Sequence, residues 1–186
     1  MLLEKDFYFV RHGQTDWNHA HRAQGQTDTP LNEEGRRQAR LAAKVAAGLE
    51  IETICCSPLS RAVETAQIIQ KASGATLEIV DELIECSWGE REGQRKGAWY
   101  EAWKRSVETP PGAEPYKQFI ERARQAINRA LGYSGPVLIV AHGGIYWAVQ
   151  IHATRELGTS LPNAQIVKHM APTEAHPWWQ SASIGQ

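Results

Sequence analysis

The sequence has few cysteines and no long apolar segment, and each shortage excludes a class of protein. Its three cysteines, Cys55, Cys56 and Cys86, have no paired spacing, so we expect small core residues in a reducing compartment rather than disulfides or a thiolate metal site. No apolar run approaches the roughly 20 residues that span a bilayer. Residues 1–6 are too short and too acidic for a signal peptide. We therefore expect a cytoplasmic protein with no membrane partner.

Net charge is also nearly absent. A formal charge of −1 gives no bulk attraction for nucleic acid, so any anion must be bound by a local cluster. What remains is an ordinary globular composition, 42% hydrophobic and 22% charged, over 186 residues. No internal repeat or linker divides the chain. We therefore expect one domain spanning residues 1–186.

Two apolar segments end in the same way. Residues 7–10 are aromatic or β-branched, as in a buried strand, and Arg11, His12 and Gly13 follow at once. Residues 137–141 are equally apolar and lead into His142 and Gly143. Arg and His are costly to bury alone, so their position at strand ends predicts a site that receives an anion. If the strands are parallel, both imidazoles lie at one sheet edge, where open α/β folds bind their ligands.

Strand and helix patterns alternate along most of the chain, which predicts an α/β fold with a mostly parallel central sheet between helical layers. Asn32 is a candidate cap for the first long helix, and Ser57 with Pro58 a candidate start for the second. An insertion at about 86–115, with a short helix, is predicted to lie over the site. The remaining predictions are strands at 51–56, 76–80 and 164–168 (the last at an edge), helices at 116–132 and 144–153, and a C-terminal tail at about 171–186 that is loosely packed or held by a partner.

Four blocks of the chain resemble one known family. They are Arg11-His12-Gly13 with Thr15 and Asn18, the segment from Ser57 to Ala62, Glu85 followed by Gly89 and Gly93, and His142-Gly143. In this order, over about residues 6–170, the blocks resemble the histidine phosphatase superfamily, which includes phosphoglycerate mutase-like enzymes. The resemblance implies a three-layer α/β/α sandwich of the phosphoglycerate mutase-like type and chemistry at a phosphorylated histidine.

The catalytic set that we predict contains five residues. His12 is the nucleophile, because a neutral imidazole can attack phosphorus through one nitrogen while the other is held by an acceptor. Arg11, Arg61 and His142 would compensate the charge of the phosphoryl group. Glu85 would protonate the leaving oxygen. The structural alternatives are a buried histidine bound to a loop carbonyl, a solvated helix arginine and a surface glutamate.

A second group of residues is predicted to bind the substrate. Asn18 can donate to the phosphoryl oxygens, with helix capping or turn formation as the alternative. The insertion offers Trp99, Tyr100 and Trp103 as contacts for an apolar or planar group of the substrate. Its cations, which include Lys104 and Arg105, could bind a second anionic group; the alternative is a basic helix that is simply solvated. The full set of predicted substrate-binding residues is Asn18, Thr15, Gln24, Gly143, Trp88, Arg95 and Lys96.

No metal or cofactor is expected. His19 and His21 are two residues apart in a polar loop and lack a carboxylate partner set. The leading hypothesis is a metal-independent phosphomonoester hydrolase acting on a small phosphorylated metabolite. A phosphoglycerate mutase is the alternative: Lys96 stands where mutases of the family carry lysine, but Trp88 replaces their tyrosine. An inactive phosphate-binding regulatory module is a third hypothesis, and a homodimer is left open.

Overall fold

The computed structural model describes residues 1–154 and 160–185, and within them a single six-stranded sheet carries the fold. The strand order is β3-β2-β4-β1-β5-β6. The first four strands in this order are mutually parallel, whereas β5 and β6 are antiparallel to their neighbours. The strands are β1 (Phe7–Arg11), β2 (Thr53–Cys56), β3 (Thr76–Ile79), β4 (Val137–Ala141), β5 (Ile166–Met170) and β6 (Gln180–Ile184).

Helices cover both faces of the sheet, which confirms the predicted α/β architecture. They are α1 (Asp16–His19), α2 (Glu33–Ala46), α3 (Ser60–Ser73), α4 (Ala98–Lys104), α5 (Tyr116–Leu131) and α6 (Gly143–Val149). One core lies between the sheet and α2 with α3, and the other lies between the sheet and α4, α5 and α6. Successive residues of β4 enter opposite cores, Leu138 the first and Ile139 the second, as the alternation of side chains along a strand requires.

The register of the two central strands brings the two histidines together. In the β1–β4 pair Arg11 lies opposite Ala141, so both strands end at the same level. The His12 amide continues the ladder by donating to the Ala141 carbonyl at 3.0 Å. His12 and His142 therefore leave the sheet side by side at its carboxyl edge, as the sequence predicts.

The start of α3 differs from the prediction. Asn32 caps α2 as expected, by accepting from the Gly35 amide at 2.8 Å. Ser57 and Pro58, by contrast, precede the helix, which begins at Ser60. The carboxylate of Asp28 accepts from the Ser60 amide at 2.9 Å and so supplies the missing cap from a distant loop. The prediction of an N-cap at Ser57 was wrong because the cap is tertiary rather than local.

The C-terminal segment also differs. Residues 171–186 were expected to be loosely packed or held by a partner, but Gln180–Ile184 forms β6 and pairs with β5. The prediction for β5 was off by two residues and placed it at the sheet edge, which β6 occupies instead. Trp179 packs its ring edgewise against Phe7, with centroids 5.9 Å apart. None of the described helices is long and apolar enough to cross a membrane.

The insertion folds as predicted, around a short helix. On α4, Trp103 is fully buried and Trp99 is half-buried. Both rings meet the buried ring of Trp88, with centroids 4.4 Å (Trp103) and 5.6 Å (Trp99) away. The indole nitrogen of Trp103 donates to the Glu114 carbonyl at 2.7 Å, so the aromatic cluster fixes the insertion to the rest of the domain.

Candidate active site

A cavity of about 510 Å³ opens at the carboxyl edge of β1 and β4. The predicted catalytic residues Arg11, His12, Arg61 and Glu85 line it. Its opposite wall comes from residues 96–105, which we call the roof. The other lining residues are Asn18, Arg22, Gln24, Gly25, Trp88, Lys96, Tyr100, Glu101, Lys104, Arg105, Tyr116, Gly143, Gly144, Trp147 and Ser160.

His12 is buried, and one nitrogen of its ring is already committed. Its Nδ1 lies 2.7 Å from the Gly13 carbonyl oxygen, which can only accept, so in the neutral ring Nδ1 carries the proton. Burial lowers the pKa of His12 well below its ordinary value, and the charges of Arg61 and Arg11 lower it further. The imidazole is therefore neutral near pH 7, with its lone pair on Nε2. His12 therefore combines the contact to a loop carbonyl, which the structural alternative predicts, with a second ring nitrogen whose lone pair can act as a nucleophile.

His142 lies beside His12, with ring centroids 5.2 Å apart, although it does not line the cavity itself. Its Nε2 is 2.7 Å from the Ser57 hydroxyl oxygen. That oxygen also accepts from the Leu59 amide at 3.4 Å. When the Ser57 hydroxyl donates to Nε2, the other ring nitrogen, Nδ1, carries the proton, and Nδ1 is buried with no hydrogen-bond partner among the described residues. Burial also lowers the pKa of His142, so this donor is neutral.

Two guanidinium groups approach the same region. Arg11 donates to the Leu161 carbonyl at 2.9 Å, whereas Arg61 donates to the carbonyls of Thr27 at 2.9 Å and Gly25 at 2.7 Å. The Nε atoms of both arginines are buried and have no partner among residues 1–154 and 160–185. Burial lowers the pKa of Arg61 to about 10, which still leaves it charged at neutral pH. Both groups thus keep unused N–H donors where an anion would be held.

Arg61 depends on a loop that spacing alone does not reveal. Gly25 has φ of +58°, and a Cβ there would lie 2.2 Å from Glu92 Oε1, so only glycine fits. Glu92 accepts from the amides of Gln26 and Thr27 at 3.0 and 2.9 Å, which leaves the carbonyls of the loop for Arg61. Glu92 is a functional residue that the sequence reasoning missed, because its partners lie 65 and more positions away in the chain.

Glu85 lies at the cavity wall with both carboxylate oxygens engaged. Oε1 accepts from the Cys86 amide at 2.9 Å, and Oε2 accepts from the Gly144 amide at 3.1 Å. A Cβ at Gly144 would lie 2.2 Å from Glu85 Oε1, so the carboxylate rests directly on the first turn of α6. This contact places Glu85 close to the two histidines rather than on an open surface.

The predicted substrate-binding residues divide into three groups. Asn18 both lines the cavity and closes the capping box of α1, in which Thr15 is the N-cap, since the Asn18 oxygen accepts from the Thr15 amide at 3.2 Å. Thr15 is buried behind the cavity, where its hydroxyl donates to the Gln24 oxygen at 2.8 Å. Gln24, Gly143, Trp88 and Lys96 line the cavity. Arg95 is exposed and is not among the lining residues, so the structure gives no support for its role in binding.

The roof combines rings with cations. Tyr100 is buried, and the Nζ atoms of Lys96 and Lys104 lie 4.5 and 5.0 Å from its ring centroid. Lys104 is paired with Glu101 at 2.9 Å, whereas Lys96 donates to the Tyr100 hydroxyl at 3.2 Å. Lys96, Lys104 and Arg105 thus line the cavity, while Lys96 and Arg105 are also exposed to solvent.

Two further residues support the segment that carries Arg11 and His12, without any signal in the sequence. Asn163 donates to the His12 carbonyl at 2.8 Å, and the Ala164 amide donates to the Arg11 carbonyl at 2.8 Å. Gly13 is required for packing: a Cβ there would lie 2.4 Å from the Gly35 carbonyl oxygen, so its close neighbour is α2. In the described part of the chain no group of three or more His, Cys, Asp or Glu is arranged to hold a metal ion.

A family model described as histidine phosphatase superfamily (branch 1) matches residues 7–174. The sequence is 34% identical over 168 residues to a probable phosphoglycerate mutase GpmB of Photorhabdus laumondii, which covers 81% of this chain and 78% of that protein. It is 30% identical over 171 residues to the uncharacterized phosphatase PhoE of Bacillus subtilis, with 86% and 87% covered.

A solved structure has a similar fold. A mycobacterial glucosyl-3-phosphoglycerate phosphatase in complex with VO3 superposes with a TM-score of 0.80 at 26% sequence identity, over 96% of this chain and 97% of that one. The relatives thus include proteins named as mutases and proteins named as phosphatases, and both names describe the transfer or hydrolysis of phosphoryl groups. With the family model matching nearly the whole chain, the protein belongs to the histidine phosphatase superfamily, branch 1.

Proposed function

We propose that the protein is a metal-independent phosphomonoester hydrolase that acts on a small phosphorylated metabolite through a phosphohistidine at His12. One observation carries the proposal. Beside the neutral His12 ring, three buried nitrogen atoms that can donate hydrogen bonds lack any partner among the described residues: Nε of Arg11, Nε of Arg61 and Nδ1 of His142. Unused buried donors are costly unless a ligand accepts from them, and a phosphoryl group supplies several acceptor oxygens.

In the first step, the Nε2 lone pair of His12 attacks phosphorus. An N–P bond forms, and the bond from phosphorus to the ester oxygen breaks, with its electron pair passing to that oxygen. The proton remains on Nδ1, which donates to the Gly13 carbonyl, and this hydrogen bond stabilises the positive charge that develops on the ring. Arg11 and Arg61 meet the charge of the phosphoryl oxygens, whose repulsion would otherwise oppose the attack.

The leaving oxygen requires a proton, and we assign Glu85 to give it. In the second step a water molecule attacks the phosphohistidine while Glu85, now a carboxylate, accepts a proton from that water. The N–P bond breaks, inorganic phosphate leaves and His12 returns to its neutral form. The amides of Cys86 and Gly144 hold the carboxylate in place between the two steps.

The remainder of the substrate would contact the roof and the Trp88 ring beside it. Trp88 and Tyr100 offer flat apolar surface, and Lys96 offers a cation for a second anionic or hydroxylated group. A cavity of about 510 Å³ suits a small metabolite. We propose Asn18, Gln24 and Gly143 as further contacts and omit Arg95.

A phosphoglycerate mutase is the second candidate, favoured by the relatives that carry that name and by the lysine at position 96. A mutase keeps the phosphoryl group on the enzyme and returns it to a substrate hydroxyl, whereas a hydrolase loses it to water. An inactive regulatory module is the third candidate, but the chain retains all five predicted catalytic residues.

A single set of assays separates the three candidates. Purified protein in EDTA is given p-nitrophenyl phosphate and a panel of phosphometabolites, with release of inorganic phosphate measured; the 3- to 2-phosphoglycerate conversion is followed separately with 2,3-bisphosphoglycerate present. We expect EDTA-resistant phosphate release that the His12→Ala variant lacks. Faster phosphoglycerate interconversion than phosphate release would favour the mutase, and no turnover in either assay would favour the inactive module.

A further inference from the structure

Arg122 does not line the cavity, yet it is bonded to the segment that carries Glu85. It lies in the second turn of α5, and its side chain is 24% exposed. The Nη1 atom donates to the carbonyls of Glu82 at 2.7 Å and Ile84 at 3.0 Å, and the Nη2 atom donates to the Glu85 carbonyl at 3.3 Å. Three backbone carbonyls within four residues are thus held by one guanidinium.

The same guanidinium binds Glu114 with its two remaining N–H groups. Nε and Nη2 donate to the two carboxylate oxygens at 2.9 and 2.8 Å, as a bidentate pair. All five N–H donors of Arg122 therefore have an acceptor in the protein. The group has no donor left for a substrate, which separates it from Arg11 and Arg61, whose Nε atoms are unpartnered among the described residues.

Glu114 connects this clamp to the roof. Its carbonyl accepts from the Trp103 indole at 2.7 Å, and its amide donates to the Ser87 carbonyl at 2.9 Å. The guanidinium also lies 5.3 Å from the ring centroid of Phe119. Phe119 also packs closely against Gly144, next to the Glu85 carboxylate: a Cβ added at Gly144 would lie only 2.9 Å from the Phe119 ring. The backbone of Glu85 and the turn that binds its side chain thus rest on one support.

We propose that Arg122 is a positioning residue for Glu85. By fixing the backbone of residues 82–85, it holds the Glu85 carboxylate within hydrogen-bonding reach of the leaving oxygen. The inference rests on the proposed function, since it gives Glu85 the role of proton donor. A charge alone does not satisfy this arrangement, because only a planar fork with five donors can bind one carboxylate and three carbonyls together. Loss of the clamp should therefore weaken proton donation while leaving attack by His12 in place.

The test compares two aryl esters of similar shape. p-Nitrophenyl phosphate loses a weakly basic phenoxide and needs little protonation, whereas phenyl phosphate loses a more basic one. We expect Arg122→Met to lower kcat/KM about tenfold to a hundredfold on phenyl phosphate, as a misplaced catalytic group does, and far less on p-nitrophenyl phosphate. In the double variant with Glu85→Gln, the loss should be no greater than for Glu85→Gln alone.

Arg129→Met is the matched control. Arg129 lies on the same helix and is bound to the same segment, but through an exposed ion pair with the Glu82 carboxylate at 2.7 Å. The Arg129→Met variant should leave kcat/KM unchanged for both esters. If Arg122→Met does not fold by circular dichroism, Arg122→Lys, which keeps the charge without the fork, carries the same comparison.

The outcomes separate this inference from the proposed function. Equal losses on both esters, or losses of Arg122→Met and Glu85→Gln that multiply in the double variant, overturn the positioning role while the acid role of Glu85 stands. If Glu85→Gln itself lowers kcat/KM equally for both esters, the acid role fails and the positioning role fails with it. A selective loss that the Glu85→Gln background abolishes supports both.

Discussion

The two walls of the cavity are built on different principles. The sheet-edge cluster (Arg11, His12 and Arg61 at the wall, with His142 beside His12) is held by hydrogen bonds to the backbone and to buried side chains, at distances of 2.7 to 2.9 Å. The roof is held by edge-to-face and tilted ring contacts around Trp88 and carries its cations at the surface of the cavity. The first wall fixes the orientation of its side chains, whereas the second offers surface area for contact with the substrate.

This contrast suggests a division of labour. Backbone hydrogen bonds orient a side chain within narrow limits, which is what attack on phosphorus requires. A lysine on the roof can change its rotamer to follow substrates of different shape. Substitutions in the sheet-edge cluster should therefore damage every reaction, while substitutions in the roof should change the order of substrate preference.

The largest effect is expected for Arg61→Ala in the sheet-edge cluster. Removing a preorganised donor to a charged transition state should cost about 3 kcal/mol or more in kcat/KM, mostly through kcat. Because the Arg61 charge lowers the pKa of His12, its removal should also move the acid limb of the kcat/KM profile to higher pH.

The profiles are measured on p-nitrophenyl phosphate, with Arg37→Ala as the control. Arg37 belongs to an exposed ion pair with Glu34 on α2 and should behave as the unmodified protein. An unchanged acid limb, or a loss confined to KM, would show that Arg61 only binds substrate.

A smaller and more selective effect is expected for Glu85→Gln, which keeps the shape of the side chain and removes its proton. General acid catalysis contributes about a hundredfold or more, so kcat/KM on phenyl phosphate should fall by about that factor. The loss on p-nitrophenyl phosphate should be much smaller. Equal losses would assign Glu85 a structural or electrostatic role.

A still smaller effect concerns stability in acid. Burial lowers the pKa of His12 in the folded protein. Below pH ~6.5, His12 is therefore protonated in the unfolded chain but stays neutral in the folded protein. Stability should therefore fall as the pH decreases, by about 1.4 kcal/mol for such a group one unit below that value. In urea titrations at pH 7.5 and 5.5, His12→Gln should lose less stability on acidification than the unmodified protein. Identical losses would contradict this account.

The smallest effect is expected in the roof. Lys96→Ala should lower kcat/KM by roughly tenfold on metabolites with a second anionic group, the value of one charge-assisted hydrogen bond, and far less on p-nitrophenyl phosphate. Arg95→Ala is the matched control, since it removes the neighbouring positive charge outside the cavity. A uniform loss across the panel, or equal effects of the two variants, would remove Lys96 from the substrate-binding set.

Much of the sheet-edge cluster could be predicted from the sequence, because strand ends are encoded locally. Residues 7–10 and 137–141 have strand patterns, and the parallel register then brings His12 and His142 together without further information. Arg61 was placed near a helix start for the same reason. The roof was predicted only in outline: a short helix over the site was expected, but the absence of Arg95 from the cavity wall was not.

The features that the sequence did not reveal depend on tertiary partners. The helix α3 starts at Ser60 because Asp28, 32 residues away, supplies its cap, and this frees Ser57 to bind His142. Likewise β6 lacks a hydrophobic pattern because it is an exposed edge strand, so only its pairing with β5 defines it. Neither contact leaves a local signal, since each forms between segments whose individual patterns are ambiguous.

The central claim is that the sheet-edge cluster forms a covalent intermediate at His12. The most direct test is to mix the protein with a ³²P-labelled phosphomonoester, quench rapidly in alkali, where phosphohistidine survives and acid would destroy it, and map the label by peptide sequencing. We predict stoichiometric label on the peptide that contains His12, absent from His12→Ala and retained in Lys96→Ala. Label on another residue, or substantial turnover by His12→Ala, would contradict the account.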